Sequence, residues 1–249
     1  MKQTDKHWEG YGRTDPYYGV LTQPKFKKEN LDSQSLQEFF STGEDFIGNL
    51  FEQIRQQVAP SFNPELALDF GCGVGRLVIP MARRCKMVHG VDVSVSMIAE
   101  AKKNAALHHA NNVEFFLSDD SLSKIGNKYD FINSYFVLQH IPLKRGMQLF
   151  EELLNRLAKD GVFSLQVPYY THRTQVRGIV SKLRRYVPLI NSAANVLEGK
   201  PLKYPHLEMN IYPLDLLFRV VQDHGVKCLS LNLESDPLFL SATLIGQKI

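Results

Sequence analysis

From Leu66 onward the chain alternates between two kinds of pattern, and this alternation restricts the fold more than any other feature. Short apolar runs read as strands: LALDF, MVHGVDV, VEFFL, YDFINSY and GVFSLQV. Between them lie stretches with helical spacing, near residues 75–84, 95–109 and 142–158. Strand, helix, strand at this spacing implies βαβ units, a parallel sheet and right-handed crossovers. Ser94 is a good N-cap for the second helix. Pro142 suits the first position of the third, and Gly161 suits its stop. The rhythm breaks after SLQVPYY. It resumes with a helix at 213–224, closed by Gly225, and two last strands, KCLSLNLE and SATLIGQK.

Upstream, WEGYGRTDPYYGVLTQPKFKKEN (residues 8–30) has no period but mixes aromatics with Gly and Pro, which predicts an ordered arm. Helical spacing begins near Leu31, and Thr42 with Asp45 forms a capping box. Ile47, Leu50, Phe51, Ile54 and Val58 then share one face, ended by Pro60 and Pro64. The expected organisation is an arm with helices over 1–60 and a main domain over 61–249, with an insertion at about 169–211. The 249 residues suffice for a sizeable core. A net charge of +3 is too weak to argue for nucleic acid or a membrane surface. Residues 171–210 carry seven basic side chains against two acids, a patch that could attract an acidic or phosphate-bearing small molecule. There is no apolar run of spanning length and no secretory h-region. Three separated cysteines give neither a zinc site nor a disulfide framework and fit a reducing cytoplasm. No metal is expected.

The stretch LALDFGCGVGRLVIP (residues 66–80) carries the chemistry. Glycines after a strand let the backbone turn sharply and approach a ligand, and the next helix favours an anion at its start. A phosphate-binding P-loop is excluded, because no GK[ST] follows. The dinucleotide fingerprint fails at Arg76, where its third glycine should stand. Asp69 would repel a pyrophosphate but suits an amino-acid head joined to a cationic sulfonium, as in S-adenosylmethionine. Asp92 follows Gly71 by 21 positions, the spacing that lets a carboxylate accept both ribose hydroxyls. Asp119 and Asp120 end the third strand, where an acid can accept from an adenine amino group.

LDFGCGVGR, GVDVSVSMIAEAK, FFLSDDSL, YDFINSYFVLQHIP and GVFSLQVP, in that order, resemble the successive motifs of class I S-adenosylmethionine-dependent methyltransferases. The resemblance is close over residues 66–168 and looser over 213–249. The arm also resembles those of bacterial enzymes that methylate sugars or secondary metabolites. The resemblance implies a Rossmann-like, seven-stranded, mostly parallel α/β sheet with helices on both faces, its last strand antiparallel, plus the arm and a helical cap. It implies an enzyme that moves a methyl group to an oxygen or nitrogen of a small molecule and releases S-adenosylhomocysteine.

Carried over by residue, Asp69, Gly71, Cys72, Gly73 and Gly75 shape the methionine end, with Arg76 near the carboxylate. Asp92 takes the ribose, Val93 is a further cofactor contact, and Met97 packs on the adenine. Asp119, Asp120 and Ser121 border the base, and Tyr135 and Gln139 run beside the methyl group. His140 is the candidate general base, its ordinary pKa lying near neutrality; "LQHIP" is also a loop that such a ring can simply brace. His172, Tyr169 and Glu208 are further base candidates. Tyr17, Tyr18, Tyr169, His172 and Arg173 are expected against the acceptor. Two other readings share the architecture: a nicotinamide-dependent oxidoreductase and a non-catalytic binder of the cofactor. The assembly is expected to be a monomer or homodimer.

Overall fold

A computed structural model describes residues 2–126, 128–172 and 209–249. Seven strands form one sheet: β1 (Leu66–Phe70), β2 (Met87–Asp92), β3 (Val113–Leu117), β4 (Tyr129–Ser134), β5 (Leu157–Thr171), β6 (Val226–Ser235) and β7 (Phe239–Lys248). Their spatial order is β3-β2-β1-β4-β5-β7-β6. β1 to β5 pair in parallel, and β7 is antiparallel to both β5 and β6. The order reverses beside β1, the switch point where such sheets open a crevice at the carboxyl ends of their strands.

Alternation within β1 distributes the two faces. Leu68 and Phe70 join the core under α6 (Leu143–Asn155) and α7 (Leu214–Asp223), which supply Leu149, Phe150, Leu153, Leu217 and Val221. Ala67 joins the opposite core under α3 (Ser33–Gln57) and α4 (Val78–Ala82), with Ile47, Phe51, Ile54 and Met81. The fifth helix, α5 (Val95–Leu107), has Ser94 as its N-cap, accepting from the Met97 amide at 3.0 Å.

Several boundaries differ from the sequence expectation. The arm is helical: α1 (Gln3–Thr14) and α2 (Pro16–Val20). Its order comes from docking rather than its own period. Tyr11, Tyr17, Phe26, Phe39 and Met97 share a buried cluster. Gly12 presses so closely on α5 that a Cβ would stand 2.6 Å from Ser94 Oγ. Helix α3 starts at Ser33, capped by Asp32, which accepts from the Ser35 amide at 2.7 Å. Thr42 therefore lies mid-helix, its hydroxyl donating to the Phe39 carbonyl. Pro142 stands at the N-cap of α6 rather than inside it. Gly161 lies within β5, and the left-handed residue of that turn is Asp160, with φ of 61°. β5 runs on to Thr171, so Tyr169 belongs to the sheet. Of the anticipated insertion, residues 173–208, with Arg173 and Glu208, lie outside the described residues.

Candidate active site

A cavity of about 650 Å³ crosses the carboxyl ends of the strands. The strand order lays out its walls in sequence. Ser118 and Asp119 follow β3, Asp92 and Val93 end β2, and Gly71 and Gly73 follow β1. Tyr135, Phe136, Gln139 and His140 follow β4, Leu238 comes from the β6–β7 connection, and Phe239 and Ser241 from the start of β7. Arm residues Thr4, Asp5 and Trp8 close it from above.

Gly71 and Gly73 have φ of 77° and 52°, backbone that disfavours a side chain. A Cβ on Gly71 would lie 2.4 Å from Val137 Cγ2, and one on Gly73 2.7 Å from Val20 Cγ2. The loop therefore lets backbone line the cavity while neighbours pack against it. Asp92 is fixed by two amides: Gly73 N–H donates at 3.0 Å and Ser94 N–H at 2.9 Å. Burial pushes its carboxyl up to about 6, against the downward pull of the Ser94, Gly73 and Val93 amides. A carboxylate so oriented can still accept from hydroxyls within the cavity. Met97 is buried on the same wall.

Not every anticipated residue reaches the cavity. Asp69 is buried behind the loop and accepts from Asn133 Nδ2 at 2.8 Å; burial pushes its carboxyl up to about 6. Arg76 is also buried there. Its guanidinium donates to Thr42 Oγ1 at 3.3 Å, and burial lowers its pKa to about 10 although Asp69 opposes this. Cys72 is buried with its thiol pKa raised by burial, and Gly75 packs toward Ala101. Of the acids after β3, Asp119 lines the cavity. Hydrogen bonds from Ser123, assisted by Ser121, hold its carboxyl down to about 2. Asp120 instead pairs with Lys2 and Arg145, and Ser121 spends its hydroxyl on Asp119.

The expected acceptor contacts are also displaced. Tyr17, on α2 of the arm, is turned into the cluster with Phe39 and Met97, its hydroxyl shared between the Glu100 carboxylate at 2.9 Å and Asn104 Oδ1 at 3.0 Å. Tyr18 lies under Lys27, Tyr169 packs on the α6 side of the sheet, and His172 is exposed beside Tyr170. None of the four lines the cavity. His140 does: it is 7% exposed, its Nε2 lies 3.1 Å from Gln139 Nε2, and its ring meets Trp8 edge-on at 4.9 Å.

The sequence reading missed the groups that hold the arm. Glu9 reaches the start of α5, accepting from Ser94 Oγ at 2.8 Å, Ser96 Oγ at 2.8 Å and the Ser96 amide at 3.1 Å. Burial opposes its charge, yet the bonds from Ser96, Ser94 and Arg13 outweigh it and lower the carboxyl to about 2. Arg145 pairs with Asp5 at 2.6 Å and with Asp120 at 2.7 Å, joining arm, β3 loop and α6. Trp8 was the one readable signal, as the single tryptophan in an arm without period.

A glycine cradle, an acid ending β2, and a sheet whose seventh strand runs backwards between the fifth and sixth together define the class I S-adenosylmethionine-dependent methyltransferase fold. Solved structures agree. The magnesium protoporphyrin IX methyltransferase of Synechocystis, with S-adenosylmethionine bound, superposes with a TM-score of 0.63 at 17% identity, over 100% of this chain and 98% of that one. The N-methyltransferase NodS of Bradyrhizobium japonicum, with S-adenosylhomocysteine, gives 0.58 at 11% identity, over 99% of each. More particularly, residues 67–161 match the family described as a methyltransferase domain. The magnesium-protoporphyrin O-methyltransferase of Synechocystis is 37% identical over 90 residues, a match spanning 35% of this chain and 38% of that protein. The ubiquinone biosynthesis O-methyltransferase of Coxiella burnetii is 25% identical over 177 residues, 61% of this chain and 74% of that protein. Among the described residues no helix is long and apolar enough to cross a membrane.

Proposed function

We propose that the chain transfers a methyl group from S-adenosylmethionine to an oxygen or nitrogen of a small-molecule acceptor, such as a sugar, a nucleotide-linked sugar or a secondary metabolite. The observation that carries this reading is Asp92: a carboxylate on the cavity wall, oriented by the Gly73 and Ser94 amides beside a backbone cradle that Cβ atoms would fill. These residues fit the cofactor. Asp92 accepts the ribose hydroxyls, Val93 and Met97 flank the adenine, Asp119 accepts from its amino group, and Gly71 and Gly73 admit the methionine chain. Arg76 and Asp69 act from behind the loop, Asp69 through the bond from Asn133 and Arg76 through its bond to Thr42 on α3.

Bound there, the cofactor supplies an electrophilic methyl on a sulfonium. The chain's own part is alignment, which can lower the barrier by roughly 7–11 kcal/mol. Tyr135, Phe136 and Gln139 line the path between cofactor end and acceptor end. His140 takes the proton of a hydroxyl acceptor, a contribution of about 10²–10⁴-fold. Its place on the wall, and the O-methyltransferases among the relatives, favour oxygen as the acceptor atom. The arm, through Trp8, excludes water from the reacting groups. Calorimetry with S-adenosylhomocysteine and NADH tests the class: saturable heat from NADH alone would transfer the reading to an oxidoreductase. Labelled cofactor incubated with a metabolite extract then identifies the acceptor, and cofactor binding with no labelled product would favour a non-catalytic binder.

A further inference from the structure

A polar chain runs across the sheet beneath α3. Thr243 on β7 donates through its hydroxyl to Glu234 Oε1 at 2.8 Å. Gln166 on β5 donates through Nε2 to Glu234 Oε2 at 2.9 Å. The other end of the Gln166 amide, Oε1, accepts the backbone N–H of Phe136 at 3.0 Å. The Tyr135 hydroxyl also donates to Glu234 Oε2, at 3.2 Å. Gln166 and Thr243 are 2% and 3% exposed, so each of these bonds replaces lost water. An apolar set would fill the same space without that demand for complete pairing.

What the chain ends on explains it. Phe136 has φ of 62°, a left-handed conformation unfavourable to a residue that carries a side chain. It lines the cavity between Tyr135, whose ring meets Phe46 at 4.2 Å, and Val137, which packs on Gly71. This loop lines the cavity beside the glycine cradle. We propose that Glu234, on the edge strand, is a positioning residue: through Gln166 and Tyr135 it fixes the strained Phe136 turn that shapes the cofactor wall. Its carboxylate accepts from three donors, and this acceptor role forces the Gln166 amide to turn its oxygen toward Phe136.

The inference rests on the methyltransferase reading for its ligand, so the test has two readouts: amide exchange at Phe136 and affinity for S-adenosylhomocysteine by calorimetry. Glu234→Leu strands three donors, and Gln166→Glu sets two carboxylates against each other. Each is expected to speed exchange at Phe136 and to weaken the nucleoside on the order of tenfold, the usual effect of stranding buried groups. The double exchange Gln166→Glu with Glu234→Gln restores a donor facing an acceptor, and both readouts return to within about threefold of wild type. Wild-type behaviour in either single variant overturns the proposal, as does a double exchange no better than Gln166→Glu alone. Should Glu234→Leu not fold, the comparison of Gln166→Glu with the double exchange decides. If the unaltered protein binds no S-adenosylhomocysteine, the functional reading fails, while exchange at Phe136 still judges the positioning role.

Discussion

Glu9→Ala should release the arm. The Glu9 side chain is 12% exposed and accepts three bonds at the start of α5 besides its pairing with Arg13. Its carboxyl is drawn from 4.5 to about 2, a preference for the charged form of roughly 3 kcal/mol at ~1.4 kcal/mol per pH unit. An anion at a helix start in a partly buried setting is worth up to about 2 kcal/mol by itself. We therefore expect the substitution to weaken docking by about 2–3 kcal/mol, a factor of roughly 30–150. Because the folded pKa is depressed, this contribution is complete above about pH 4.5 and fades as pH falls toward about 2. Trp8 is the single tryptophan and sits one residue away, against His140. Its emission should shift to the red, and acrylamide should quench it more strongly, in the variant at pH 7 and in wild type near pH 2.5. Wild-type emission and quenching in Glu9→Ala at pH 7 would refute the argument that this carboxylate holds the arm.

Three further outcomes follow from the cavity. The Asp92 carboxyl must be ionised to accept from two hydroxyls, so affinity for S-adenosylhomocysteine should fall as pH drops through about 6. The ligand-free protein should gain stability from the same group between pH 6 and 3.8, which paired calorimetric and thermal scans would separate. Gly71→Ala puts a Cβ 2.4 Å from Val137 Cγ2 at a φ of 77°; strain plus overpacking of roughly 3 kcal/mol should lower Tm by about 6–12 °C in a thermal melt. Arg145→Met leaves Asp5 and Asp120 without their shared partner, so residues of α1 should lose about 1–2 kcal/mol of exchange protection. High salt should move the wild type in the same direction.

The strands were legible because their signal is local. LALDF and VEFFL match β1 and β3 end to end, and Ser94 caps α5 through a bond three residues long. The wall residues Gly71, Gly73, Asp92, Asp119 and His140 were legible for a related reason: each stands at, or in the loop beyond, the carboxyl end of a strand, where the fold class places a crevice. What failed was non-local. The arm has no period, because its helices are fixed by Glu9 on Ser96, 87 residues away. Asp69 and Arg76 sit in the right motif yet face into the protein, a difference of side-chain direction that spacing does not encode. Glu234 stands 99 residues from Tyr135, and only the pairing of four strands brings the two together.

The placement of β7 has a consequence for biogenesis. β6 bonds to the sheet solely through β7, and β7 is made from residues 239–248, after every other strand. The nucleoside half of the crevice, built from β1, β2 and β3, can assemble while the polypeptide is still being elongated. The other half must wait, with β6 and its Leu229, Leu231 and Leu233 unpaired until the final strand slides between its neighbours. A chain cut short before residue 239 would thus keep the strands of the nucleoside side but leave β5 and β6 without the strand that joins them.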